Sequence, residues 1–343
     1  MKILVLGYFG YRTNQLDGQT VKTRSLYELL VKRLGPEAID FYDTQTFRSN
    51  RLSMFVKLWN CRLLVYLPAH NNLKYLFPVV YLLSRIRRFD IHYFVVGGWL
   101  YKILEHKPLH RMLLTRIKGI HSETALLKSL LEKKYGFKNV DVFPNFRFFS
   151  CEDGLSPVTD KLRLVFMARV RKEKGIDMIL GLGDYIFRKN LQDSVSIDFY
   201  GPLFEEHRDY FITGLTRYPF MTYRGVLPPD EIHRTLSGYD AMLFPTHYYT
   251  EGLPGSIIDA YIAGIPVIAT RWQYADEFIR NRETGLIVPF ENGQQEFNDA
   301  VELILSDKQS LLRMKQHAKQ ARYDFSAEKA WNLLEGYIKG DNN

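Results

Sequence analysis

The sequence predicts an α/β protein built from two doubly wound domains, each a parallel sheet covered on both faces by helices. Three observations lead there. Its apolar runs are short and nearly continuous, as buried parallel strands require, and do not alternate with polar residues. They are separated by segments with apolar residues at helical spacing, the pattern of βαβ units. One polar stretch, Asn145–Lys161 with Pro157 inside it, divides this alternation into two blocks. The length of 343 residues agrees, since a domain typically takes about 150.

In the first block Lys2–Tyr8 reads as a strand, and Thr20–Leu34 as a helix carrying Val21, Leu26, Leu29, Leu30 and Leu34 and closed by Gly35-Pro36. Ala38–Tyr42, Arg62–Leu67 and Ile91–Val96 are further strands, with a helix over Leu73–Arg87. His121-Ser122-Glu123-Thr124 reads as the opening of a helix to Tyr135, and Val140–Phe143 as a strand ending at Pro144-Asn145. In the second block strands are expected at Leu162–Ala168, Ser196–Tyr200, Met221–Gly225, Ala241–Pro245, Pro266–Ala269 and Gly285–Val288. Helices fall between them at Ile176–Arg188, Glu206–Arg217, Pro229–Ser237, Ser256–Ala263 and Tyr274–Arg282. Gln295–Ser306, Ser310–Tyr323 and Ser326–Lys339 form a helical tail.

Composition narrows the function classes. Two cysteines, Cys61 and Cys151, exclude a disulfide scaffold and a cysteine-rich zinc module. No apolar run reaches the roughly 20 residues of a spanning helix, and Met1 is followed by a strand-like segment with no leader pattern. An intracellular, cytoplasmic protein is expected. Charge is uneven: residues 1–150 carry 24 Lys and Arg against 10 Asp and Glu, whereas residues 151–343 carry 22 against 28. In the first half Lys57, Arg62, Lys74, Arg85, Arg87 and Arg88 are interleaved with Met54, Phe55, Trp59, Tyr66, Tyr75, Phe77 and Tyr81. Cations mixed with aromatics suit an anionic membrane surface. No nucleic-acid motif of fixed spacing is present, and no nucleic-acid partner is expected.

Three segments can carry chemistry. Leu243–Val267 reads as strand, glycine-bearing loop, short helix and strand. Gly252 and Gly255 let a ligand approach the backbone, and the helix start near Ser256 offers free N–H groups to an anion. Glu251 and Asp259 flank that place; carboxylates suit sugar or ribose hydroxyls there, although Ser256-x-x-Asp259 also has the form of a helix-capping pair. Met167–Ile176 brings Arg169 and Lys174 to the end of a strand, where both reach a diphosphate; Arg171 and Lys172 read as a solvated turn. Gly18-Gln19-Thr20 is a third, weaker phosphate-loop pattern.

At these places the chain resembles retaining GT-B glycosyltransferases of family 4, the glycosyl transferases group 1 domain. Glu251…Asp259, followed by Gly264-Ile265-Pro266-Val267 and Thr284-Gly285-Leu286, is similar to the family's E-x7-E signature, and Arg169…Lys174-Gly175 to its diphosphate clamp. Gly201-Pro202, Arg224-Gly225-Val226 and Tyr239-Asp240 fall in the expected order between them. Ile91–Leu100 looks like bacterial capsular and O-antigen polysaccharide enzymes of the family; Gly97, Gly98, Trp99 and Pro144-Asn145 match by position.

The resemblance implies two facing Rossmann-like domains with a cleft between them. Residues 1–150 would bind the acceptor, residues 151–323 the nucleotide sugar, and residues 324–343 would cross back to the first domain through Trp331, Leu334 and Tyr337. Glu251 would touch the transferred sugar and Asp259 the ribose, with a carboxylate one methylene shorter than the family's Glu. Gly255, Ser256, Ile257 and Ile258 would cradle the phosphates, with Gly18 and Gln19 contributing from the other domain and Gly201, Arg224 and Gly252 completing the donor site. Gly97, Gly98 and Trp99 are acceptor-side candidates. His70 and His121 are candidates to assist acceptor deprotonation, a structural histidine being the competing reading of each. No D-x-D occurs, and two cations can replace a metal, so no metal or cofactor is expected. The expected activity is retaining transfer from a nucleotide sugar, with UDP-sugar as the donor, to a polyprenyl-diphosphate-linked or oligosaccharide acceptor in surface polysaccharide assembly. A nucleotide-sugar epimerase and a non-catalytic nucleotide- or membrane-binding module are the alternatives.

Overall fold

The computed structural model describes residues 2–13, 15, 17–150 and 154–339, the side chains of residues 70, 71 and 339 excepted. The chain divides into two compact units, Met1–Phe148 with Phe325–Asn343, and Phe149–Asp324. Unit 1 runs β1 (Ile3–Gly7), α1 (Gly18–Leu34), β2 (Ile39–Asp43), α2 (Arg51–Asn60), β3 (Leu63–Leu67), α3 (His70–Tyr75), α4 (Phe77–Arg87) and β4 (Asp90–Phe94). It continues with α5 (Leu100–Ile103), α6 (Pro108–Leu114), β5 (Gly119–Ser122), α7 (Ala125–Tyr135) and β6 (Val140–Val142). All pairings are parallel, in the order β2-β1-β3-β4-β5-β6.

Unit 2 runs β7 (Leu162–Met167), α8 (Ile176–Arg188), β8 (Val195–Tyr200), α9 (Glu205–Thr216), β9 (Met221–Gly225), α10 (Ile232–Leu236) and β10 (Ala241–Phe244). Then follow α11 (Gly255–Ala263), β11 (Val267–Thr270), α12 (Ala275–Phe278), β12 (Gly285–Val288), α13 (Gln294–Ser306) and α14 (Lys308–Ala321). Its parallel order is β9-β8-β7-β10-β11-β12. The last helix, α15 (Ala327–Lys339), belongs to unit 1. Both sheets are therefore doubly wound. Their order reverses between β1 and β3 in one unit and between β7 and β10 in the other, and ligands of such sheets bind outside the strand ends at that reversal.

Three features of unit 1 depart from the sequence reading. Leu73–Arg87 is two helices, interrupted at Leu76, because Pro78 lacks an N–H and is accommodated only in the first turn of a new helix, α4. His121-Ser122 belongs to strand β5, and α7 begins at Ala125, where the Thr124 hydroxyl accepts from the Leu127 amide at 3.0 Å. Arg51–Asn60, for which no helix was expected, is α2. In unit 2 the ends agree more closely, although Pro229–Ser237 and Tyr274–Arg282 shrink to the short α10 and α12.

Right-handed crossovers put α1 on one face of the unit 1 sheet and α2, α4 and α6 on the other. On the first face Leu26, Leu29 and Leu30 of α1 pack with Ile3, Val5, Leu63 and Val65 and with Ala330, Trp331 and Leu334 of α15. Each such buried side chain contributes about 1.5–3 kcal/mol, so α15 is held by its apolar stripe. Among the described residues no helix is long and apolar enough to cross a membrane.

Candidate active site

The loops that leave β7 and β10 at the reversal of unit 2 are stitched together by the backbone. The His247 amide donates to the Glu173 carbonyl at 3.0 Å, and the His247 ring hydrogen-bonds the Asp177 carboxylate at 3.0 and 3.3 Å. That bond to Asp177 holds the His247 ring above its ordinary pKa. Gly175 makes the crossing possible: its φ is +81°, and a Cβ there would lie 1.8 Å from the Pro245 carbonyl oxygen. No side chain fits.

This crossing brings Lys174 and Glu251 together. The Lys174 ammonium donates to the Glu251 carboxylate in a partly buried ion pair, their side chains 11% and 18% exposed, and lies 5.8 Å from the Phe244 ring centroid. Arg169, on the same loop, is exposed. Arg171 is occupied: its guanidinium donates to Glu173 at 2.8 and 2.9 Å and holds that carboxyl down to about 2. Lys172 lies over the Tyr210 ring at 4.3 Å. Both belong to the solvated turn.

Gly252 is buried in the β10–α11 loop, and α11 begins at Gly255 behind Pro254, a residue with no side-chain acceptor to offer. The Ile257 amide turns back to the Pro254 carbonyl at 3.1 Å. The amides of Gly255 and Ser256 thus head a nine-residue helix without a side-chain cap, with its positive end beside Lys174 and Glu251 in the same loop pair. Ile257 and Ile258 are fully buried and anchor that turn. Asp259 lies inside the helix, so it does not cap it; the capping alternative is excluded. Its buried carboxylate meets the His233 ring of α10 at 3.1 Å.

The other donor-side candidates of unit 2 lie outward from this centre. Gly201 follows β8, with φ +131° and a Cβ position 2.0 Å from the Ala168 carbonyl oxygen, so it backs directly onto the residue before Arg169. Arg224 is on edge strand β9, two strands from β7, and its half-exposed guanidinium donates to Asp198 at 3.1 Å. It is not brought to the Lys174–Glu251 pair.

In unit 1, Gly18 and Gln19 open α1 near the β1/β3 reversal. Asp17 caps that helix, accepting from the amides of Gln19 and Thr20 at 3.0 and 2.9 Å. Those two donors are occupied, while a Cβ on Gly18 would meet open space. Gly97 and Gly98 follow β4, and the Gly97 amide donates to Glu123 at 3.2 Å; Trp99 leads into α5. The side chain of His70 lies outside the described residues.

His121 is corrected. It is fully buried in β5, shares a 2.9 Å hydrogen bond with His92, and packs on Phe94 and Tyr337 at centroid distances of 4.4 and 4.2 Å. Burial, with the neighbouring His92 and Lys22, pushes it well below the ordinary imidazole range. The structural reading holds, and it is no acceptor-facing base.

Sequence reasoning passed over Lys22. Its ammonium is buried in unit 1, donating to Glu123 and to the Val95 carbonyl, each at 2.7 Å, and so ties α1 to the loop carrying Gly97. Burial lowers its pKa, and Glu123 opposes the shift. The signal was available: Lys22 interrupts the apolar stripe of α1 at the spacing of Leu26, Leu29 and Leu30. His233, His247 and Asp177 gave no comparable signal, since their pairings span 26 and 70 residues. Among the described residues no group of three or more His, Cys, Asp or Glu is gathered as for a metal ion.

Residues 154–321 match the sequence family described as "Glycosyl transferases group 1". No curated protein sequence matches the chain. Among solved structures, sucrose-phosphate synthase from Thermosynechococcus elongatus is similar with a TM-score of 0.75 at 14% identity, covering 99% of this chain and 98% of that one. HepE from Anabaena, in complex with UDP-glucose, gives 0.72 at 15%, covering 99% of both. TarM from S. aureus, in complex with fondaparinux, alpha-GlcNAc-glycerol and UDP, gives 0.64 at 13%, over 81% of this chain; the chain spans 55% of TarM's length. At such identities the likeness is one of fold, GT-B with two Rossmann-like domains. Residues 154–321 thus resemble a glycosyl transferases group 1 domain, and the chain as a whole has the fold of GT-B glycosyltransferases.

Proposed function

We propose that the chain transfers a sugar, with retention at the anomeric carbon and without a metal, from a UDP-sugar to a lipid-linked or oligosaccharide acceptor in surface polysaccharide assembly. One observation carries the reading: Lys174 and Glu251 meet beside the uncapped start of α11, at the strand reversal of unit 2. The complex of HepE with UDP-glucose supports the choice of donor.

In this reading the donor diphosphate competes with Glu251 for the Lys174 ammonium. Arg169, Lys174 and the backbone from Gly255 to Ile258 then hold the phosphates. Glu251, released from its ion pair, accepts from hydroxyls of the transferred sugar, and Asp259 from the ribose. Gly201 and Gly252 admit the donor closely, and Arg224 serves at the rim. As the anomeric C–O bond breaks, negative charge grows on the departing phosphate where these cations and amide dipoles already point. The acceptor oxygen attacks on the same face, and its proton passes to that phosphate oxygen, so no separate base is required. Gly97, Gly98, Trp99 and His70 contribute to acceptor binding. The acceptor is anchored by a polyprenyl diphosphate in the inner leaflet, and the enzyme works as a cytoplasmic protein peripheral to that membrane through basic unit 1.

The test incubates the full chain with radiolabelled UDP-sugars and membrane extract, with and without EDTA. Label is expected in the lipid fraction in both cases, with the donor's anomeric configuration kept. Label confined to nucleotide sugar of changed configuration supports an epimerase instead; loss of transfer with EDTA overturns the metal-free step.

A further inference from the structure

From residue 44 to residue 89 the chain carries eight Lys and Arg and no Asp or Glu. The fold turns this into a surface. Helix α2 is apolar on two sides: Met54 and Leu58 are fully buried, while Leu52, Phe55, Val56 and Trp59 recur at helical spacing with exposures of 39–77%. Helix α4 does the same, burying Phe77 and Val80 and presenting Val79, Leu82 and Ile86 at 46%, 62% and 61% exposure. The two helices touch at their C-terminal ends, where Arg87 donates to the Trp59 carbonyl at 3.2 Å and covers the Trp59 ring at 4.3 Å. Helix α6, on the same sheet face, adds Leu109 and Met112, half exposed. Arg48, Arg51, Arg85 and Arg88 are exposed around this face, and none is ion-paired among the described residues.

We propose that the outer face of α2 and α4 docks into the headgroup region of an anionic phospholipid bilayer. Leu52, Phe55, Trp59, Leu82 and Ile86 enter the acyl boundary while the arginines bind lipid phosphates. The proposal gives a location to the membrane association in the proposed function and rests on that part of it. Charge complementarity decides the occupant. The apolar face carries exposed arginines without ion pairs among the described residues and no acid on either helix, which matches an anionic surface of lipid phosphates. A second copy of this chain is disfavoured: a two-fold interface sets each patch against its own image, so the arginines would oppose one another with no carboxylate between them. The face also differs from what sequence alone suggested, because Met54, Tyr66 and Phe77 are core residues.

The full chain is sedimented with vesicles of phosphatidylcholine, with and without about one third phosphatidylglycerol. Binding is expected only with the anionic lipid, together with quenching of Trp59 by acyl-brominated lipid that Trp59→Tyr removes. Leu82→Glu with Ile86→Glu should weaken binding at least tenfold, and Arg48→Gln with Arg51→Gln and Arg85→Gln several-fold, with thermal unfolding and UDP binding by calorimetry unchanged. Equal binding to both vesicle types, or binding indifferent to these substitutions, overturns the proposal. So does a concentration-dependent dimer that Leu82→Glu with Ile86→Glu abolishes. Vesicle binding without sugar transfer to any acceptor leaves the docking face intact and overturns the transferase reading instead.

Discussion

Each unit buries or half-buries a lysine–glutamate pair near its strand ends, between two loops in unit 2 and between helix α1 and a loop in unit 1, and the two pairs do different work. In unit 2, Lys174 and Glu251 retain 11% and 18% exposure and sit where the sheet order reverses, beside a helix start with no side-chain cap. In unit 1, Lys22 and Glu123 retain 2% each and are tied to the backbone at Val95 and Gly97. The first pair can exchange partners with a ligand; the second has no route to one and fixes a loop. Position in the fold, rather than the residue types, separates a binding group from a structural one.

The comparison breaks most readily at Lys22. Lys22→Met leaves Glu123 buried without its cation, and a stability loss of about 3–5 kcal/mol is expected. Hydrogen exchange of the β1 and β4 amides should read it while unit 2 stays protected. Adding Glu123→Leu should restore more than half of the loss. If Lys22→Met costs under about 1 kcal/mol, the pair is not the tie described here.

Lys174→Ala should reverse that pattern. Turnover is expected to fall about 10²–10³-fold, the usual loss for one group that stabilises developing negative charge, with exchange protection little changed in either unit. Turnover within a factor of three of the parent would remove Lys174 from the chemistry.

A pH titration sharpens the contrast through the histidine pair of unit 1. Burial pulls His92 down to about 4, so between 6.5 and 4 the unfolded chain binds a proton that the folded chain refuses. Stability of unit 1 should therefore be full above pH 6.5 and fall with decreasing pH, His92 contributing about 1.4 kcal/mol per unit and the likewise depressed His121 adding to it. His92→Gln should reduce the slope, leaving the part that His121 carries; an unchanged slope would assign it to other groups.

A last effect is expected at the crossing in unit 2. Gly175→Ala must leave its left-handed conformation or push the Pro245 carbonyl aside, at a cost of at least about 1–3 kcal/mol. Because the same crossing aims Lys174, UDP affinity by calorimetry should fall with stability. Loss of stability with affinity untouched would uncouple the two.

Unit 2 was the more legible in sequence because its strands and helices alternate regularly; Met221–Gly225, Gly285–Val288 and Ile176–Arg188 have the bounds expected of them. Unit 1 hid β5, whose His121 and Ser122 are buried only because His92 and Tyr337 stack on the one and the carbonyls of Thr124 and Asp141 accept from the other. It hid α2 as well, whose apolar residues face two ways.

By itself, then, the sequence determined the alternation of strand and helix, the two-block division, the basic first half, and the loop segments around Lys174 and Glu251. Those properties are local, written in periodicity and composition over a few residues. Which cation meets which carboxylate was decided only by tertiary structure. Lys174 and Glu251 lie 77 residues apart, and Lys22 and Glu123 lie 101 apart. Strand order alone brings such positions within hydrogen-bond reach, and whether water comes with them depends on what packs around them. The same holds for the apolar residues of α2 and α4: hydrophobicity marks them all alike, and only packing against the sheet selects which go inside.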